Sequence, residues 1–362
     1  MRKHLVLSLL LLCSSLSAGP GFGGSFDRLK APSPVSSNAT RGLLLDIQVP
    51  PGSERLVAAG EQGTILYSDD RGASWQQAGT PVSVLLTALG FSDAERGWAV
   101  GHDGTILHSR DGGSNWQVQR AGLELVELQR DALQGLLDNP PAGASPEQLD
   151  DWQYWLEDVE FALEEGAMPV LLDVLFIDGE RGFALGAYGA LFETDNGGEQ
   201  WRSIGHRLPN PDRLHLNAIL LSRSGRLLIA GEAGLLIFSD DLGRTWQGID
   251  SPYEGSLFGL SESDRLYLMG LRGHLFGSVD GERWQPIDVP GDATLNGGVS
   301  ASGRFYVLGQ NGQLLVRSGD GFTRVEVPRR RSFAAGVALH DRLWLVGEGG
   351  LSQVDPTAGG AR

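Results

Sequence analysis

Short strand-like apolar runs, separated by glycine-rich turns, recur along most of this chain. One unit repeats: a glycine, two residues, a second glycine, a short apolar strand, Ser or Thr, an Asp, a Gly and a Trp. It reads GEQGTILYSDDRGASW at Gly60–Trp75, GHDGTILHSRDGGSNW at Gly101–Trp116, GAYGALFETDNGGEQW at Gly186–Trp201 and GEAGLLIFSDDLGRTW at Gly231–Trp246. A shorter copy, GLRGHLFGSVDGERW, spans Gly270–Trp284. GQNGQLLVRSGDGF at Gly309–Phe322 is degenerate, and GEGGLSQVD from Gly347 stops before any aromatic. The leading glycines are spaced by 41, 85, 45, 39, 39 and 38 residues, so one step is double length. Each unit also opens on further runs, such as LLTALGF and then GWAVG in the second. Four short strands in roughly 40 residues make one propeller blade. Seven units predict an all-β, seven-bladed β-propeller over residues 19–355, with a short tail at 356–362.

The last unit lacks an outer strand. Residues from Ser25, SFDRLKAPSPVSS, resemble the stretch after the Trp in other units, for example WQQAGTPVS. Phe26–Ala31 is therefore expected to supply that strand and close the ring, removing an exposed edge.

The Ser/Thr-x-Asp-x-Gly-x-x-Trp stretch is an Asp-box, expected on the hairpin between the third and fourth strands. Asp70, Asp111, Asp241 and Asp280 accept hydrogen bonds from local backbone N–H groups, as in an Asx-turn, with Asn196 in their place in the third copy. Gly72, Gly113, Gly198 and Gly243 permit a positive φ. Trp75, Trp116, Trp201, Trp246 and Trp284 are large rings to bury between neighbouring blades. The adjacent carboxylates Asp69/Asp70 and Asp240/Asp241 do not read as catalytic, because the same residues recur in most blades. The loops are also too poor in oxygen ligands for calcium.

Residues 120–166 break the repeat. Leu149, Trp152, Leu156, Val159 and Leu163 follow a helical stripe, and Ser145, Pro146 and Gln148 form a helix start with a capping box. Leu125, Leu128, Ala132 and Leu136 mark an earlier helix, and residues 138–144 the turn. An α-helical hairpin is therefore expected between blades two and three. Tyr154 and Phe161 fall opposite the stripe; that aromatic face either meets a partner or buries against the first helix. The insert holds twelve acids against two arginines, a net of −10. Topology puts it on the same face as the GxxG turns and as Pro328-Arg329-Arg330-Arg331, which joins blades six and seven nearly across the ring. An acidic pole facing a basic one suits protein docking; the arginines alternatively form a solvated loop.

The whole chain of 362 residues carries 29 basic and 45 acidic side chains, a net charge of −16, which disfavours nucleic acid as a partner. Its first 18 residues, MRKHLVLSLLLLCSSLSA, read as a secretory signal peptide cleaved near Ala18. That pattern implies export to the periplasm or beyond, with no spanning segment afterwards. Cys13 is the single cysteine, and Leu12 before it does not suit lipidation. The seven histidines show no zinc-ligand spacing, and no GxSxG elbow, P-loop or dinucleotide fingerprint appears. No enzyme, cofactor or metal is expected. Asp-boxes also occur in sialidases, but their Phe/Tyr-Arg-Ile-Pro motif is absent here; a carbohydrate-binding or glycosidase-like propeller stands as the alternative.

The tandem Asp-boxes, the GxxG turns and the phrases GWAVG (97–101) and GFALG (182–186) resemble the photosystem II stability/assembly factor family, within the BNR-like propellers. The resemblance covers roughly residues 42–355 apart from the insert. It implies a non-enzymatic exported scaffold that helps assemble membrane protein complexes, or in non-photosynthetic bacteria accompanies membrane exporters. The partner is then a membrane complex or a periplasmic protein. The candidate docking residues are Trp152, Tyr154, Trp155 and Phe161 of the hairpin, the basic run Arg329, Arg330 and Arg331, and the turn residues His102, Tyr188 and Arg272.

Overall fold

A computed structural model describes residues 26–327 and 331–355. Seven antiparallel sheets form a ring of blades. The first blade runs Leu44–Gln48, Leu56–Gly60, Ile65–Ser68 and Gln76–Gln77, from the central channel outward. The second strand of each blade is flanked by neighbours on both faces, so it reads as an apolar run and is buried, as in Gly97–Gly101 and Gly182–Gly186, apart from Arg304 and Arg342 at the start of the sixth and seventh. The fourth strands are short and mostly exposed, as at Gln247–Gly248.

The leading glycines follow from a packing constraint. In every blade the pairing of the first and second strands shifts register near its upper end, as between Leu44 and Asp46 opposite Gly60. This bulge drives the Leu43 carbonyl into the space a Cβ on Gly60 would fill, and Gly101, Gly186 and Gly347 face the same obstacle. Gly60→Ala is therefore expected to cost about 1–3 kcal/mol in a denaturant melt. An unchanged midpoint would contradict the close approach. The residue before the second glycine takes a left-handed conformation in six blades, with φ between 50 and 57° at Gln62, Asp103, Tyr188, Ala233, Arg272 and Asn311.

The Asp-boxes knit the hairpins between third and fourth strands. Ser68 donates from Oγ to Asp70 Oδ1 (2.8 Å) and accepts the Gly72 N–H (2.7 Å), while Ser74 donates from N and Oγ to the same carboxylate. The bonds from Ser74 hold Asp70 down at about 2. Asp111, Asp241 and Asp280 repeat the pattern, and Asn196 Oδ1 accepts the Gln200 N–H. Gly72, Gly113, Gly198 and Gly243 have φ from 84 to 89°. Each box aromatic packs toward the preceding blade. Trp116 joins Val57 and Ala59, Trp201 joins Trp98 and Val100, Trp246 lies edge-on to Phe183, and Trp284 joins Leu228. Trp75 reaches back to Trp344 of the seventh blade, 5.7 Å between centroids.

Phe26–Ala31 does not complete that seventh blade, which has three strands among the described residues, Phe333–Leu339, Arg342–Gly347 and Ser352–Val354. The Asp27 carbonyl accepts the N–H groups of Lys30 and Ala31, and its side chain accepts that of Leu29, so the segment turns instead of extending. It is then tied to blades one and two, through Ser83 N–H to the Arg28 carbonyl and an ion pair between Arg28 and Asp103. Closure comes instead from Trp75 on Trp344 and from the Thr40 carbonyl, which accepts the Leu351 N–H at 2.9 Å.

Candidate docking face

The insert forms two antiparallel helices, α1 (Glu124–Asp138) and α2 (Pro146–Glu165). Ser145 and Gln148 make the reciprocal capping box, Pro146 opens α2, and Gly166 ends it at φ 69°. Leu125 of α1 enters the propeller core beside Trp98 and Phe176. Val126 and Leu133 meet Trp152, Leu156 and Val159 of α2. Trp152 is thus only 9% exposed and serves the hairpin's own core, not a partner. The opposite face of α2 is uncovered: Tyr154 and Phe161 are 64% and 63% exposed.

The hairpin sits on the same face as the GxxG turns, since the Gly104 N–H donates to the Pro169 carbonyl and the Gly122 N–H to that of Asp103. The blade-three turn raises Tyr188, 71% exposed, beside α2. A groove of about 520 Å³ runs between Trp155 and Phe161 of α2, Met168 and Pro169, and Tyr188 with Arg213. Arg213 sits over the Trp155 ring at 6.0 Å and pairs with Asp158 at 2.6 Å, which fixes α2 against the propeller. Sequence spacing does not reveal this latch, because Arg213 lies 55 residues from Asp158 with nothing periodic to connect them.

The other candidates stand apart from this group. His102 is half-buried at the blade-two turn, where burial lowers its pKa. Arg272 is exposed at the blade-five turn. Arg331 lies against the blade-seven turn, close enough to fill the space a Cβ on Gly349 would need. Arg329 and Arg330 lie outside the described residues.

The central channel, of about 450 Å³, carries a pair of carboxylates not singled out from the sequence. Asp46 accepts the Leu89 N–H of the next blade at 2.8 Å, and Asp173 accepts that of Ile219 at 2.9 Å. Burial pushes Asp173 up to about 7, against the pull of the Ile219 and Val174 N–H groups, and raises Asp46 as well. At three other junctions neutral groups bridge to the next blade: Thr87 donates to the Leu171 carbonyl, Asn217 to that of Leu257, and Asn296 to that of Phe333. Aligning the blades by their bulges would have found the pair, because the matching positions hold Ala88, Ala218, Gly259, Gly297 and Ala335. No group of three or more His, Cys, Asp or Glu among the described residues is placed to hold a metal ion.

The ring, its boxes and its inserted hairpin define a seven-bladed Asp-box β-propeller. The family model described as photosynthesis system II assembly factor YCF48 matches residues 70–133 and 149–255, breaking at the hairpin turn. The chain is 31% identical over 170 residues to the photosystem II assembly lipoprotein Ycf48 of Synechococcus sp. (strain CC9902), covering 42% of this chain and 49% of that protein. It is 31% identical over 181 residues to the chloroplastic photosystem II stability/assembly factor HCF136 of Arabidopsis thaliana, covering 47% and 43%. The chain thus spans less than half the length of the curated relatives it matches. A solved structure of YCF48 bound to D1 peptide shares the fold, with a TM-score of 0.60 at 14% identity, over 86% of this chain and 91% of that one. Over these stretches the chain is similar to photosystem II assembly factor-like propellers. No helix among the described residues is long and apolar enough to cross a membrane.

Proposed function

We propose that this protein is an exported, non-catalytic assembly or accessory factor that docks on the extracytoplasmic part of a membrane protein complex through its hairpin face. The carrying observation is the groove between the inserted hairpin and the blade-three turn, lined by the exposed aromatics Phe161 and Tyr188, with Tyr154 exposed elsewhere on α2. Exposed apolar clusters rimmed by charge mark interaction sites. The likeness to assembly factors, one of them solved with a bound peptide, supports the reading. The signal-peptide pattern at residues 1–18 supports export to the periplasm, and an exporter accessory role fits a non-photosynthetic host.

The channel supports the glycosidase-like alternative poorly. Asp46 and Asp173 spend oxygens on backbone N–H groups of the neighbouring blade, and no tryptophan lines the walls to stack on a sugar. The test is capture of a complex from native membranes by the mature protein, beside Phe161→Ala/Tyr188→Ala and a variant lacking residues 120–166. The double variant should keep its melting temperature and lose at least tenfold in affinity, since buried aromatic anchors dominate interface energies. Undiminished capture by both variants would refute docking through the hairpin.

A further inference from the structure

In six blades the third strand is covered on its outer side by a fourth, as Leu66 pairs with Gln77, Phe192 with Ser203 and Leu315 with Arg324. The seventh differs. Ser352–Val354 pairs with Leu343–Leu345 on its inner side, and no described strand lies on its outer side. Beside this edge is a cavity of about 710 Å³, with Val327, Phe333, Leu351 and Val354 as apolar walls and Arg41 and Arg331 as its cations. An open edge of this kind is a template for one more strand.

The charges say what kind of strand fits. Among the described residues neither Arg41 nor Arg331 makes an ion pair, although acids exceed bases by 16 in the chain. The carboxylates close by are engaged elsewhere: Glu348 accepts the Ser332 N–H, and Asp355 lies 3.7 Å from Arg342. The protein's own flanking sequences complement the slot poorly. GPGFGGS at 19–25 and PTAGGAR at 356–362 contain no carboxylate side chain and are rich in glycine, a weak strand former. Phe26–Ala31, which resembles a closing strand in sequence, is held on blades one and two.

We propose that an extended, acidic segment of a partner protein adds as the fourth strand of the seventh blade, along Ser352–Val354, with its carboxylates against Arg41 and Arg331. Main-chain hydrogen bonds supply the affinity and the two arginines select for acid. This site is separate from the hairpin groove and stands or falls independently of it.

The probe is an acetylated, amidated peptide, Glu-Val-Thr-Val-Glu-Val-Thr, titrated into the mature full-length protein by fluorescence anisotropy. Its controls are a lysine-for-glutamate version and a version N-methylated at alternate residues. The acidic peptide should bind, both controls should bind at least tenfold more weakly, and the amides of Ser352–Val354 that face the open edge, alternate along the strand, should gain protection from hydrogen exchange. Arg41→Glu/Arg331→Glu should reverse the preference toward the lysine peptide while melting as the parent does. Binding that ignores N-methylation or both arginines would overturn the proposal. So would binding seen only after removal of residues 356–362, which would show that the chain fills its own slot.

Discussion

Trp201→Ala should lower the free energy of unfolding by about 3–5 kcal/mol, the cost of emptying a fully packed aromatic site. Trp201 is 2% exposed, lies edge-on to Phe176 with 6.0 Å between centroids, and shares a cluster with Trp98, Val100 and Ile106 of the preceding blade. Its loss opens a seam between two blades, not a pit within one. Two controls separate this account from a general effect of removing tryptophan. The indole N–H of Trp201 has no acceptor among the described residues, so the contribution is one of packing, and Trp201→Phe should cost only about 1–2 kcal/mol. Trp75 has the same place in its box but is half-buried, so Trp75→Ala should cost less than Trp201→Ala. The measurement is the midpoint of urea unfolding at constant slope. Equal losses at Trp75 and Trp201 would contradict the assignment of the energy to burial.

The features legible in the sequence are those in which one physical constraint recurs from blade to blade. A bulge forces each leading glycine, and a side-chain oxygen of Asp or Asn gathers loop N–H groups in each full box, so Gly60, Asp70 and Trp116 belong to columns that expose one another. Phe26–Ala31 belongs to no such column. Its resemblance to an outer strand is one of composition, and a local turn at Asp27 with one ion pair from Arg28 decides its place. The hairpin is legible for a different reason: a capping box and a stripe are local signals, and Ser145, Gln148 and Leu156 carry them without reference to the ring.

The candidate face is legible only in part. Helical spacing tells apart two faces of α2 and assigns its aromatics to them, but not which face the first helix will cover. Trp152, on the stripe, goes inside with Val126 and Leu133; Tyr154 and Phe161, off the stripe, stay outside. Tertiary pairing with α1 decides that, and single-helix periodicity does not contain it. Contacts between distant segments, such as Arg213 with Asp158 or Asp173 with Ile219, leave no mark on local spacing.

The channel carboxylates make the second large effect one of pH. Asp173 stands at about 7 in the folded chain, raised from 3.8 by burial. Between these two values the native state holds a proton that the unfolded chain has released. Stability from this group is therefore greatest at the acid end, declines as pH rises from about 4 to 7, and levels off above. A shift of this size sets a ceiling of about 4 kcal/mol, and water in the open channel reduces it to about 2–4 kcal/mol. The box carboxylate Asp70, held at about 2, and Asp93, also held at about 2, contribute with the opposite sign but only below this window. Asp173→Ala tests the claim: the backbone there accepts Ala, as at Ala88, Ala218 and Ala335 in three other blades, and the loss of the Ile219 N–H acceptor lowers stability at both pH values alike. In urea melts at pH 5 and pH 8 the change in stability should be more negative in the parent than in Asp173→Ala, on a background from His108 and His206, which burial lowers to about 4 and which stabilise as pH rises. Asp46 has the same sign and its charge helps to raise Asp173, so Asp46→Ala should also reduce this loss, and the double variant should differ furthest from the parent. A pH dependence identical in the parent and the double variant would place the titration elsewhere and leave the two aspartates as ordinary ionised clamps between blades.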